Sequence, residues 1–199
     1  NAIAAAALAH RTGTPVPDVE YSADEHGVWT TVWGRLAPLH SDLVCAELLE
    51  AQSALTLGHD TIPQFGPLNR RLEGATGFRM EPVAGLVAAR VFLTYLRQSV
   101  FLATQYIRHS SRPFYTPEPD VVHELVGHAA SLADPQIANL SRAFGQAAVR
   151  ATDDEILCLE RVYWYTLEFG LALQDGQPKA YGAGLLSSAG ELDRIRGEA

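Results

Sequence analysis

Residues 115–128 read YTPEPDVVHELVGH and set two histidines, His123 and His128, in an otherwise apolar helical pattern that follows a proline-dense loop. Forty residues beyond His128, a second apolar stretch, YWYTLEFGL, carries one carboxylate, Glu168. A buried carboxylate without a partner is costly, and a divalent cation supplies one. Two imidazoles and a carboxylate are the protein share of a facial Fe(II) site, which keeps other coordination positions open. For this reading to hold, the three groups have to meet at one point.

The spacing does not by itself bring them there. His123-Glu124-x-x-x-His128 differs from the zinc-peptidase motif, whose histidines lie four apart on one helical face. Five residues correspond to about 140° around a regular helix, from a turn of ~100° per residue. The imidazoles converge only if the helix bends or ends near Gly127, or if their side chains reach across it. Glu168 has other outlets, an arginine such as Arg108 or the solvent. A zinc hydrolase built on His123, Glu124 and His128 is a competing chemistry that the five-residue interval disfavours. His59 and His109 are read as satisfied core histidines, the ordinary state of a lone His on an apolar face.

The rest of the chain suits one mainly helical domain over residues 1–199 with a few short strands. Residues 11–34, with Pro15, Pro17, Gly27 and Gly34, read as an extended arm with a turn around 29–33. Helices are expected over about 41–55, capped by Ser41, and near 64–74. Apolar periodicity without Gly or Pro predicts one long helix over 88–107. SSRPFYTPEPD must be irregular, and Pro119 or Asp120 starts the helix of the histidines. Further helices are expected over 135–149, opened by Asp134-Pro135, and, capped by Asp153, on to about 173, with Gly176 and Pro178 closing it and KAYGAGLLSS returning as a short strand or loop. The alanine-rich start lacks the basic flank of a signal peptide and reads as the tail of a helix or as a cut end. No apolar run reaches the roughly 18 residues of a membrane span. A net charge of −8 argues against a nucleic-acid surface. Cys45 and Cys158, far apart and each in a helical context, read as buried thiols of a cytoplasmic protein.

Several long motifs then converge on one family. TQYIRHSSRPFYTPEPDVVHELVGH, YWYTLEFGL and KAYGAGLLSSAGEL resemble the catalytic domain of the pterin-dependent aromatic amino acid hydroxylases, and TGFRMEPVAGLV and VEYSADEHGVWTTVW extend the match upstream. The resemblance runs in order over about residues 19–192. It implies a mainly helical catalytic domain that holds non-haem Fe(II) with His123, His128 and Glu168. Such enzymes use tetrahydrobiopterin or another reduced pterin, with O₂ as co-substrate, to hydroxylate the ring of an aromatic amino acid. By matching motifs, Gly85, Leu86 and Val87 line the pterin, Phe92 and Phe101 lie nearby, and Glu124 sits beside it. Arg108 matches the clamp for the amino-acid carboxylate, suited to it by a fork that pairs a carboxylate through two bonds. Thr116 and Ser187 match positions that assist, and Pro119 and Trp164 match walls of the aromatic pocket. Tyr115 matches a mobile-loop tyrosine near the site and, with Glu124, is carried as a catalytic candidate. Gly182 and Gly184 are expected to allow close backbone approach.

The chain also departs from the family pattern. Ala88 and Ala89 stand where animal relatives tend to have serine, so a hydroxyl contact to the pterin is lost there. Leu102 replaces a histidine of animal phenylalanine hydroxylases. Trp164 is the residue type of the phenylalanine and tyrosine enzymes rather than the tryptophan ones. The resemblance therefore ranks phenylalanine first, tyrosine second and tryptophan third, and keeps meta-hydroxylation open beside para. A non-catalytic sensor of an aromatic amino acid or pterin is the alternative from a different class. The family sequence continues well past GEL, so the C-terminal part of the family domain is expected to be absent here, and oligomeric state is not readable.

Overall fold

The computed structural model describes residues 2–197 and is mainly helical, with two small two-stranded sheets. Helix α1 (Ala2–Ala9) takes up the alanine-rich start. Helix α2 (Ala23–Leu43) begins at a reciprocal capping box, in which Ser22 Oγ accepts from the Glu25 N–H and the Glu25 carboxylate accepts from the Ser22 N–H. The extended arm expected over 11–34 therefore holds only to residue 22, and from Ala23 the chain is helical. Gly27, Gly34 and even Pro38 are carried inside the helix because Trp29, Trp33, Leu36, His40 and Leu43 form one buried stripe along it. Such burial outweighs the weak local preferences of those residues. Ser41 caps nothing; its hydroxyl donates back to Pro38 O at 2.9 Å. The helix expected over 41–55 is accordingly split, with α3 confined to Ala46–Leu55.

Helix α4 (Phe65–Thr76) lies close to its expected range and ends at Gly77, whose φ of 79° terminates it. The chain then forms β1 (Arg79–Pro82), α5 (Ala89–Leu96) and β2 (Val100–Ala103), with β1 parallel to β2 and Arg79 opposite Val100. The single long helix over 88–107 is thus a helix and a strand. Ser99, at φ 58°, reverses the chain between them, and no Gly or Pro announces the turn. Val100–Ala103 is buried at every position, and a short, wholly apolar run has no periodicity to separate strand from helix.

After an irregular stretch, residues 121–122 enter a π-helical segment, His123–Ala129, which runs into α6 (Ala130–Leu132). Asp134 accepts from the N–H groups of Gln136 and Ile137 to start α7 (Pro135–Arg150). Thr152, not Asp153, caps α8 (Asp153–Tyr163), again through a capping box, here with Glu155. The helix expected to reach 173 stops at Tyr163, widens into a second π-helical segment (Trp164–Glu168), and gives way to the hairpin β3 (Leu171–Gln174) and β4 (Gln177–Ala180). Asp175 and Gly176, both at positive φ, form its two-residue turn. Short helices α9 (Ala183–Leu186) and α10 (Ala189–Ile195) follow.

Cys45 is buried, but Cys158 is exposed on α8, which corrects the expectation of two buried thiols; neither forms a disulfide. His59 and His109 also lie on the surface rather than in the core, His59 against Trp33 and His109 against Ser111. Among the described residues no helix is long and apolar enough to cross a membrane.

Helices α5 and α7 meet where a Cβ on Gly145 would fall 2.1 Å from Arg97 N. Gly145→Ala is expected to cost about 1–3 kcal/mol through overpacking, read as a lower urea midpoint with an unchanged slope. An unchanged midpoint would contradict this packing.

Candidate metal centre

The five-residue interval between the histidines is resolved by the local helix type. In a π-helical turn the hydrogen bond runs from i to i+5, so the residue five positions on takes the place above the first that i+4 takes in an α-helix. His123 opens the segment His123–Ala129 and His128 closes its single wide turn, so both side chains leave on one face. Glu168 ends the second π-helical segment, whose wide turn is closed by Phe169 N–H donating to Trp164 O at 3.0 Å. The two segments are brought together by backbone contact with α9 and the residues before it. A Cβ on Gly127 would stand 2.6 Å from Ala183 O, and one on Gly182 would stand 2.4 Å from Glu168 O. The expected close approach at Gly182 is therefore real, and Gly127 matters as much.

The three side chains converge. His123 Nε2 lies 2.9 Å from His128 Nε2, which lies 3.0 Å from Glu168 Oε1; His123 Nε2 is 3.6 Å from Glu168 Oε2. For metal–donor bonds of about 2.1 Å, donors at right angles sit about 3.0 Å apart and tetrahedral donors about 3.4 Å apart. The two shorter separations match adjacent corners of an octahedron. Glu168 is thus not paired with Arg108, and it does not face solvent.

The surroundings prepare the donors. Ser187 Oγ donates to Ala183 O at 2.8 Å, so toward His123 Nδ1, 2.9 Å away, it acts as acceptor. That bond places the His123 proton on Nδ1 and leaves the Nε2 lone pair facing His128 and Glu168. Burial, reinforced by the neighbouring His128, pulls the His123 pKa down to about 4. Burial acts on Glu168 in the opposite sense, but the charge and hydrogen bond of His128 outweigh it and hold the carboxyl at about 2. His128 is itself raised, because Glu168 outweighs the effect of burial. A cluster of a bare imidazole nitrogen, a second imidazole and an ionised carboxylate suits a divalent cation.

Two cavities meet over these three side chains. The first, about 260 Å³, is lined by Gly85, Leu86, Val87, Phe92, Phe101 and Glu124, the residues the resemblance assigns to the pterin. Ala89 and Leu102 also line it, whereas Ala88 lies outside it as the residue before α5. The second, about 500 Å³, is lined by Arg108, Tyr115, Thr116, Pro119, Trp164 and Ser187, the residues assigned to the amino acid and the loop tyrosine. Leu86, Pro119, His123, Trp164 and Glu168 border both. The β1–α5–β2 unit builds the first cavity: β1 leads into the wall at 83–87, and β2 places Phe101 with its ring centroid 4.4 Å from that of His128.

Other side chains in or behind these walls were missed by sequence reasoning. Asp120, read only as a helix start, is fully buried and spans the Arg108 fork, accepting from Nε and Nη2 at 2.7 Å each. It also accepts from the backbone N–H groups of Arg108 and His123. The Arg108 fork is therefore already engaged, and Nη1, the donor group not given to Asp120, makes one long bond to Pro113 O at 3.4 Å. A buried arginine requires a counter-charge, and that requirement was the available signal. Thr104 was missed as well: its N–H and hydroxyl both face Glu124 Oε1 at 3.1 Å. Burial lifts the Glu124 carboxyl to about 7 despite these bonds. Tyr163, buried beside the first cavity, has its phenol pushed well above its ordinary range by burial and then by Glu168 and Glu124.

Comparison with known proteins fits this geometry. The family described as "biopterin-dependent aromatic amino acid hydroxylase" matches residues 1–196. Human tyrosine 3-monooxygenase is 48% identical over 194 residues, covering 96% of this chain and 37% of that protein. The chloroplastic phenylalanine 4-monooxygenase of Pinus taeda is 42% identical, covering 98% of this chain and 55% of its own length. The chain thus spans only about half, or less, of these relatives. The crystal structure of Chromobacterium violaceum phenylalanine hydroxylase with bound iron(III) and 7,8-dihydrobiopterin superposes with a TM-score of 0.86 at 33% identity, covering 97% of this chain and 73% of that one.

Ser187→Ala is expected to weaken Fe(II) binding about 10–100-fold, the usual effect of losing the partner that orients a ligating histidine. Equilibrium dialysis of the metal-free protein measures it, with circular dichroism reporting an intact fold. Undiminished affinity would refute the orienting role.

Proposed function

The chain belongs to the biopterin-dependent aromatic amino acid hydroxylases, and from that membership we propose that it is the catalytic part of an Fe(II)- and tetrahydrobiopterin-dependent monooxygenase acting on the ring of an aromatic amino acid, L-phenylalanine first. The observation that carries the proposal is the meeting of two cavities over one triad, with His128 buried and His123 and Glu168 half-buried at the cavity walls. A metal gripped from one side, with separate chambers adjoining it, suits a reaction that needs two organic partners and O₂ together. Iron with a reduced pterin supplies the O₂ activation when bound.

The residues of the chain bind and orient. Gly85–Val87, Phe92 and Phe101 offer an apolar slot for a flat heterocycle, and Glu124 offers a carboxyl for one of its polar edges. With a pKa near 7, Glu124 can donate in its neutral form or accept in its charged form. Arg108, held rigid by Asp120, presents its remaining N–H groups to the amino-acid carboxylate, with Thr116 on the same wall. Pro119 and Trp164 confine the ring between that anchor and the triad, and Tyr115 borders the entrance. Anchoring one end of a substrate while walling the other fixes which ring edge faces the metal.

Similarity does not choose the ring, since relatives named for tyrosine and for phenylalanine match at 48% and 42% identity. Phenylalanine is placed first because Leu86, Pro119 and Phe169 give the second cavity an apolar stretch of wall, beside the polar Thr116, Glu118 and Ser187. Leu102, apolar and on the first cavity, leaves attack at the meta carbon as the second reading. The cytoplasm is the proposed compartment, from the two unpaired thiols.

Anaerobic loading with Fe(II), followed by phenylalanine, reduced pterin and O₂, is expected to give para-tyrosine on chromatography. Meta-tyrosine as the main product would reverse the regiochemistry, and tight binding of both ligands without product would point to a sensor. His128→Ala should lose iron and product while retaining its fold; product at the normal rate in that variant would refute the assignment of ligands.

A further inference from the structure

We propose that His40, in the core of α2, is a positioning residue for the metal centre: it holds the end of α9 and, through it, the Ser187 hydroxyl that orients His123. The inference rests on the reading of His123, His128 and Glu168 as metal ligands.

His40 is only 3% exposed, in a helix stripe otherwise made of Trp, Leu and Val. An imidazole in such a place is costly unless its nitrogens are bonded. Its Nε2 lies 2.6 Å from Leu186 O, a contact between residues 146 apart in sequence. Leu186 is the last residue of α9, where carbonyls lack helical partners, and His40 supplies one. The carbonyl of Leu186 and the N–H of Ser187 belong to one planar peptide unit, so fixing the first fixes the second. That N–H donates to Ala183 O at 3.1 Å, and the Ser187 hydroxyl shares the same acceptor. The hydroxyl then meets His123 Nδ1. An unbroken series of contacts therefore runs from the core of α2 to the first ligand.

The far side of the ring is also built. His40 Nδ1 lies 3.2 Å from Gln52 Oε1, while Gln52 Nε2 is buried without a partner. Turning the Gln52 amide over lets Nε2 donate to Nδ1 and leaves the acceptor Oε1, rather than a donor, in the unpartnered position. The proton of a neutral His40 then resides on Nε2, where it faces Leu186 O. Burial lowers the His40 pKa, which keeps the ring neutral. The ring edge of Trp33, 6.0 Å between centroids, completes the mount.

The test is Co(II) titration of the metal-free chain, followed by the visible bands of bound cobalt. His40→Phe is expected to weaken Co(II) about tenfold, the low end of the range for residues behind a ligand. His40→Gln, which keeps an N–H near the position of Nε2, should restore most of that loss. In a Ser187→Ala background, His40→Phe should add nothing, because the route to the metal is already cut. Leu36→Ala, on the same buried stripe, should lower thermal stability without loosening Co(II). If His40→Phe does not fold, Gln52→Leu replaces it, with a smaller loss that again vanishes in the Ser187→Ala background. Unchanged affinity in His40→Phe, losses that add to Ser187→Ala, or an equal loss in Leu36→Ala would overturn the inference alone. A wild-type chain that binds no Co(II) would overturn the metal reading along with it.

Discussion

Two histidines five residues apart share a face only if the helix between them widens, and that requirement shapes the surrounding structure. A π-helical turn is rare because its packing and hydrogen bonding are poorer than those of an α-helix, so neighbours must hold it in place. Here the turn is pressed against α9 at Gly127, where any side chain would run into Ala183 O. The second widened turn, at Trp164–Glu168, is backed in the same way at Gly182. One short helix thus supports both halves of the triad from behind, and its last carbonyl is held in turn by the core helix α2.

The buried Arg108–Asp120 pair plays a different part. Removing both charges from water is expensive, and a hydrophobic pair of similar volume can serve stability as well or better. What such a pair would not supply is the connection: the carboxylate that grips the guanidinium also accepts from the His123 N–H. Wall and metal centre therefore cannot shift independently. The polar groups of the two cavities are similarly fastened from outside, Glu124 by Thr104 and Thr104 by Pro119 O.

Much of this arrangement was legible in the sequence, for uneven reasons. The residues of the triad and of both cavity walls were named from long motifs, because chemistry restricts the residue types allowed there. Their convergence was not legible, since the letters of HELVGH do not distinguish an α-turn from a π-turn. Helices α4 and α7 could be placed because Gly77 and Asp134-Pro135 punctuate them. Helix α2 was missed because its glycines and Pro38 resemble loop signals and only tertiary burial overrides them. Its capping box, Ser22 with Glu25, was present in the sequence and went unused, as did the Asp175-Gly176 hairpin turn. Strand β2 was hidden in an apolar run with no period, and Asp120 was obscured because its partner Arg108 was provisionally given to other carboxylates.

The unequal burial of the two cysteines has a practical side. Cys45 is enclosed between α2 and α3, whereas Cys158 stands open on α8, the helix that leads into the turn ending at Glu168. A maleimide dye or spin label applied to the native protein is thus directed to a single address. That address lies on the exposed side of the helix whose far end, at Glu160 and Tyr163, lines the first chamber, so the sequence already carries an attachment point for a spectroscopic reporter.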